Sequence, residues 1–198
     1  MNINEYQNYH ETKAHTSAEF PYNTYLCSIP LDFPGVPLHW HDELELVVIK
    51  RGQGFVSVDF DKRLVHSGDI IIIPPRCLHA IEQDDTFKME YENIIFKPDL
   101  LSSGANDLCM IQYIVPLLDG SLPIEYFLTP ALGSFEALSN CIRQIDLVCA
   151  DQTPGWQLAV KSSLFNFFFL LISERQKKTV STSSNSKSLE KMKTVLKY

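Results

Sequence analysis

The sequence predicts a mainly β fold, a sandwich or barrel of short strands over residues 22–97, followed by two C-terminal α-helices. Two observations carry this prediction: short β-rich segments separated by turn signals in the first half, and a change to helical periodicity after Pro98. The segments are TYLCSIPL (24–31), VPLHWH (36–41), ELVVI (45–49), FVSVDF (55–60), RLVH (63–66), DIIIIP (69–74), LHAIE (78–82) and FKMEYENIIF (87–96). They are rich in Val, Ile, Phe and Tyr, and Pro-Gly, Gly-Gln-Gly, Asp-Lys and Ser-Gly-Asp bound them. Strands of this length and spacing close into a sandwich or barrel.

After Pro98 the pattern changes. Over 134–150, Phe135, Leu138, Ile142, Ile145 and Cys149 recur at spacings of three and four, which lines one helical face. The segment 156–172, after Pro154-Gly155, is apolar almost all round and therefore needs two partners. One expected partner is the first helix or the barrel, and the other is the same surface of a second subunit, the alternative being that both helices simply cap the barrel of a monomer. From Ser173 the composition turns polar, SERQKKTVSTSSNSKS, as in a linker over 173–188. SLEKMKTVLKY then resumes a helical pattern, with Ser188 as N-cap and Leu189, Met192 and Leu196 on one face.

The chain of 198 residues is long enough for one main core, and 45% hydrophobic with 21% charged residues describes an ordered protein. A formal charge of −7 without a large Lys/Arg cluster makes this chain itself a poor candidate for neutralising the phosphates of DNA or RNA. The amino terminus lacks a secretory pattern, and no run approaches the roughly 18 apolar residues of a membrane span. A soluble, cytoplasmic protein without membrane contact is expected. Five cysteines (Cys27, Cys77, Cys109, Cys141, Cys149) with no C-x-x-C pair read as reduced, mostly buried thiols.

The densest chemistry lies in HWHDELELVVIKRG, residues 39–52. On an extended strand His39 and His41 share a face and Trp40 points the other way. On a straight strand Glu45 would lie about 13 Å from His41, whereas ligands of one metal ion lie about 2 Å from it. A turn at Asp42-Glu43 is therefore expected to return Glu45 beside the histidines on a neighbouring antiparallel strand, and Glu43 is the poorer ligand. In the last strand Lys88, Glu90 and Glu92 share one parity and should face water, which turns Met89, Tyr91 and Asn93 toward the lumen as candidate effector contacts.

Gly35-x3-His39-x-His41-x3-Glu45-x6-Gly52 resembles the first cupin motif, and Gly68-x5-Pro74-x-Arg76-x2-His79 resembles the second. The first glycine lies two residues nearer the histidines than usual, Arg76 replaces a glycine, and Gln83 replaces a final Asn. The resemblance implies a single jelly-roll (double-stranded β-helix) barrel. It also implies a divalent ion (Zn, Ni, Fe, Mn or Co) held by His39, His41, Glu45 and His79.

The order of parts resembles the sensor half of AraC/XylS-type transcription regulators: an arm (1–21), the barrel (22–97), helices (98–172), a linker (173–188) and a new helix (189–198). That resemblance implies a small-molecule effector, a sugar or other metabolite, in the barrel. It implies a homodimer through the helices, which the stripe Phe135, Leu138, Ile142, Ile145 and Cys149 fits. DNA would be bound by a helix-turn-helix domain that begins near Leu189 and is missing here. The alternative is a stand-alone metal-dependent cupin enzyme, an isomerase or dioxygenase, which has no evident need of the Ser-rich linker.

Overall fold

The computed structural model describes residues 3–104 and 106–182, and the side chains of all of these but 3, 4 and 176–182. A short helix, α1 (Ile3–Gln7), precedes strands β1 (Tyr22–Ile29), β2 (Gly35–His39), β3 (Leu44–Val58), β4 (Asp61–His66), β5 (Ile70–Ile73), β6 (His79–Gln83) and β7 (Met89–Phe96). A π turn (Met110–Ile114) leads into α2 (Val115–Leu118), and β8 (Phe127–Leu128), α3 (Phe135–Asp151) and α4 (Trp156–Thr182) follow. All named strand pairs are antiparallel. The expected mainly β architecture with C-terminal helices is what the chain adopts.

The strands form two sheets that share β3. In one the order is β1-β7-β3-β5-β8, and in the other β6 joins β2 to β3, whose far side pairs with β4. Leu44–Gly52 of β3 pairs with β7, while Gln53–Val58 pairs with β4. The segments expected as separate strands at 45–49 and 55–60 are thus one strand, and Gly52-Gln53-Gly54 is a bend inside it. Gly52 has φ +78°, and a Cβ there would lie 1.9 Å from the Lys88 carbonyl oxygen, so the bend needs glycine. A bulge at Lys50 precedes it, because Ile49 faces Tyr91 but Arg51 faces Glu90.

Alternation along β3 sends Leu44, Leu46 and Val48 to the helices and Val47 and Ile49 to the lumen, where they meet Val56, Val58 and Ile81 of the second sheet. The first sheet is covered on both faces, which is why LELVVI and IIIIP are nearly continuous apolar runs instead of alternating ones.

The helices α3 and α4 are joined through Gln152 and Gly155, both at positive φ, and cover the outer face of the first sheet. This corrects the assignment of the α3 stripe to a dimer interface. Leu138, Ile142 and Ile145 are at most 2% exposed and pack into the chain's own core with Val160, Leu164 and Phe168 of α4. Phe135 and Cys149 are partly buried in the same cluster. Periodicity identified the face that is buried, and its partner is α4 and the sheet. A different stripe is exposed: Leu158, Phe165 and Phe169 on the opposite side of α4.

One boundary also moves. The helix expected to end at Ile172 continues to Thr182, because Glu, Arg, Gln and Lys in SERQKK are good helix formers and extend an existing helix at one hydrogen bond per residue. Residues 183–188 of the expected linker and the helix at 189–198 lie outside the described residues. By length and composition, Trp156–Arg175 also qualifies as a membrane span, which the count of consecutive apolar residues did not suggest. One side of it, Val160, Leu164, Phe167 and Leu171, is packed against protein.

All five cysteines are free. Cys77 and Cys141 are buried and Cys109 is exposed. Glu92, expected to face water, has the predicted parity, but α3 covers that face. It is 6% exposed, and Lys50 Nζ lies 2.6 Å from its Oε2 and 3.0 Å from Asp146 Oδ2.

Gly52→Ala is expected to destabilise the protein by about 2–4 kcal/mol, from positive φ plus the clash with Lys88. Gly155→Ala, also at positive φ but with no atom near the added Cβ, should cost only about 1 kcal/mol. Urea denaturation of the two variants measures the difference.

Candidate functional site

The site forms where the two sheets face each other. His39, at the end of β2, and His79, at the start of β6, are register partners in one sheet, with ring centroids 4.0 Å apart. His41 follows directly and lies 4.9 Å from His79. Ligand nitrogens of the three rings all lie within 4.8 Å of one another.

Glu45 comes from the opposing sheet, where it pairs with Ile73 and Ile95, and its Oε2 is 3.0 Å from His41 Nε2 and 3.4 Å from His79 Nε2. The expected bend at Asp42-Glu43 is present, but β2 and β3 do not pair as neighbours. Glu45 reaches the histidines across the lumen, from the other sheet. Glu43, the poorer ligand by spacing, is buried on the far side of His41, 3.7 Å from Nδ1.

Two of the imidazoles have defined tautomers. His39 Nδ1 is 2.9 Å from the Pro37 carbonyl and His79 Nδ1 is 2.8 Å from the Cys77 carbonyl. A carbonyl only accepts, so both Nδ1 atoms carry the proton and the neutral rings present Nε2 lone pairs to the lumen. This is how metal-ligating histidines are commonly oriented. His79 Nε2 and His41 Nδ1 are buried without a hydrogen-bond partner. The donor set, three imidazoles and a carboxylate, suits a divalent transition ion.

Electrostatics follow from burial and pairing. Burial alone would raise the Glu45 pKa, but the hydrogen bond from His41 outweighs it and holds the carboxyl far below its usual range. For His41, burial opposes the charge, yet Glu45 outweighs it and raises the pKa. Burial, then the neighbouring His79, lowers that of His39. Arg76, which replaces a motif glycine, is exposed at φ +63°, and its Nε lies 2.7 Å from Asp42 Oδ1. Its guanidinium is therefore out at the surface, away from the imidazoles.

A cavity of ≈ 330 Å³ adjoins the imidazoles, with Phe33, Val36, Ile81 and Ile95 as apolar walls. Tyr91 and Asn93 line it as their parity predicted; Asn93 Oδ1 is buried without a partner, and Tyr91 Oη has the Cys27 thiol beside it. Burial raises the Tyr91 pKa and keeps the phenol protonated. Met89 does not line the cavity. It is fully buried, and its Sδ and Cε fill the space beside Gly54, deep in the lumen.

The N-terminal arm closes one side of the cavity, bringing Glu11, Lys13 and His15 to it. Sequence reasoning passed over these residues, although their i, i+2, i+4 spacing in ETKAH is the signal of one face of an extended segment. Trp40, which faces away from the histidines as predicted, anchors the arm. Its ring stacks on Tyr6 (centroids 4.8 Å) and on His10 (4.2 Å), and its Nε1 donates to the Tyr6 carbonyl at 2.8 Å.

Glu45→Gln should reduce stability more at pH 6 than at pH 8.5. A raised His41 pKa contributes stability that is fully present below the unfolded value of about 6.5 and is lost as pH rises through the folded value. Loss of the partner charge therefore matters on the acid side of that window. Chemical denaturation at the two pH values tests this, and NMR titration of His41 should show its pKa falling in the variant.

Comparison with known proteins places this geometry in a family. Residues 25–168 match the family described as the AraC-like ligand binding domain. The chain is 32% identical over 159 residues to the uncharacterized HTH-type transcriptional regulator YdeC of Bacillus subtilis, covering 80% of this chain and 54% of that protein. It is 26% identical over 72 residues to the uncharacterized HTH-type regulator YbfI of the same organism, covering 36% of this chain and 26% of YbfI. The chain thus spans about half the length of the first of these relatives and about a quarter of the second. Among solved structures, a cupin protein from Bacteroides fragilis is similar at 24% identity and a TM-score of 0.38, over 44% of this chain and 80% of that one. The match over most of the barrel, all of α3 and the first half of α4 shows that this chain belongs to the AraC-like ligand-binding domain family.

Proposed function

We propose that this chain is the effector-sensing and dimerisation part of an AraC-type transcription regulator that works in the cytoplasm. A small molecule, a sugar or other metabolite, would occupy the cavity beneath the N-terminal arm. The observation that carries this reading is that Asn93 Oδ1 and His79 Nε2, both buried and unpartnered, line together with Tyr91 a single mostly apolar cavity. Buried polar atoms are nearly always paired, so a cluster of unpaired ones around one space describes a site for a polar ligand. DNA would be contacted by a helix-turn-helix region C-terminal to α4, as the names of the two Bacillus subtilis relatives suggest.

His39, His41, Glu45 and His79 would hold a divalent ion of the Zn, Ni, Fe, Mn or Co type, whose chemistry here is that of a Lewis acid anchoring an electron-pair donor of the effector. Tyr91 and Asn93 would orient the rest of the molecule, and the aliphatic walls would exclude water. The Nε2 lone pairs facing the cavity also favour a second reading, a metal-dependent cupin enzyme, either an isomerase or a dioxygenase. The two readings separate on whether a molecule that binds is also turned over.

The homodimer would form through the outer stripe of α4, Leu158, Phe165 and Phe169, beside an apolar groove that includes Tyr113 and Phe168. Dimerisation would set the spacing of two DNA-binding regions and raise their effective concentration at paired half-sites.

A thermal-shift screen of sugars and small acids should identify a ligand that raises Tm, because a molecule bound only by the folded state stabilises it by about 2.7 kcal/mol at a hundred times its Kd. Asn93→Ala should weaken that ligand roughly tenfold or more while leaving the unliganded Tm nearly unchanged. For the interface, Leu158→Glu with Phe169→Glu should convert the protein to monomers by sedimentation with little change in secondary structure. Unchanged sedimentation would remove α4 from the contact.

A further inference from the structure

We propose that Glu11, carried on the N-terminal arm, is a further ligand of the divalent ion read above at His39, His41, Glu45 and His79, so that ion binding fastens the arm across the mouth of the barrel. This rests on the metal reading of the site.

Backbone hydrogen bonds tie the arm to the barrel at Trp40, which lies between two of the imidazoles. Trp40 N donates to the Tyr9 carbonyl and Glu11 N donates to the Trp40 carbonyl, each at 2.9 Å, giving a parallel bridge between His10 and Trp40. Trp40 faces outward between His39 and His41, so the same bridge brings Glu11 to the edge of the site. Glu11 Oε2 lies 3.5 Å from His39 Nε2 and 2.9 Å from His15 Nε2.

The contact between Glu11 and His39 is chemically incomplete. The Nδ1 proton of His39 is committed to the Pro37 carbonyl, so neutral His39 turns a lone pair toward a carboxylate oxygen. The same mismatch occurs at His79, whose Nδ1 proton is committed to the Cys77 carbonyl and whose Nε2 faces Glu45 at 3.4 Å. Two electron-pair donors facing each other at these distances repel unless a cation joins them. Among the described residues, neither carboxylate pairs with a lysine or arginine; Lys13, the cation on the arm, has its Nζ over the Tyr25 ring at 5.0 Å. One divalent ion resolves both mismatches, and two carboxylates with three neutral imidazoles balance its charge. Because coupling between sites is reciprocal, an ion held in part by Glu11 stabilises the docked arm by the same factor as the docked arm tightens the ion.

The test uses the full 198-residue chain, stripped of metal, in a Trp156→Phe background that leaves Trp40 as the only indole. Zn²⁺ is titrated by calorimetry and by Trp40 emission, which reports the stack with Tyr6 and His10. The expected result is one Zn²⁺ per chain, a change in Trp40 emission on binding, at least tenfold weaker binding by Glu11→Gln with the emission change lost, and partial recovery in Glu11→Asp. Glutamine keeps the length and a hydrogen bond to His15 but is a far poorer ligand, so a merely structural Glu11 would survive the change. Equal affinity in wild type and Glu11→Gln, with binding lost in His79→Ala, would overturn the role of Glu11 and leave the metal reading standing. Unchanged Trp40 emission on Zn²⁺ binding would overturn the coupling to the arm, and no Zn²⁺ binding by wild type would overturn both readings.

Discussion

The structure depends on one strand serving two sheets. Because β3 pairs with β5 and β7 before Gly52 and with β4 and β6 after it, the sheets cannot slide or separate independently, and their inner faces meet at a fixed angle. The bend places Glu45 on one wall opposite His39 and His79 on the other. No local feature of HWHDELE creates the site. It exists because a glycine at positive φ lets the chain turn where the Lys88 carbonyl leaves no room for a side chain.

The same arrangement sets the electrostatics. Charges in this lumen are surrounded by Val, Ile and Phe, so each ionised group survives only by pairing. Glu45 does so with His41, and Glu11 with His15. Carbonyls of Pro37 and Cys77, two residues upstream of His39 and His79, take up the outer imidazole protons and leave the inner nitrogens as acceptors. The backbone thereby decides what kind of ligand the cavity can accept: one that donates protons or carries positive charge at the imidazole end, with Tyr91 and Asn93 available for a polar group farther along.

Much of this was legible in the sequence. Period-two alternation gave the faces of Tyr91 and Asn93 and the outward turn of Trp40, and the offsets among His39, His41, Glu45 and His79 identified residues that do converge. What was not legible depended on partners distant in the chain. The α3 stripe showed that Leu138, Ile142 and Ile145 are buried but not that α4 buries them. The alternation in FKMEYENIIF set the parity of Glu92, but nothing local announces that α3 covers it. Gly-Gln-Gly reads equally as a turn or as a bend, and only pairing to two sheets distinguishes them. Residues of the arm were missed because the alternation in ETKAH spans only five residues and says nothing of the surface that the segment meets.

The ion pair of Lys50 with Glu92 has a consequence for how the barrel keeps its phase. Along β7, lumen-facing and helix-facing residues alternate, so a slip of one residue against β3 would turn Glu90 and Glu92 inward, among carboxylates already present, and bury Tyr91 and Asn93 under α3. Lys50 occupies the bulge where that ladder is least regular, and it holds Glu92 from one side and Asp146 of α3 from the other. A charged clamp at the weakest rung thus acts as an index mark, admitting one alignment of the strands and fixing which side chains the cavity displays.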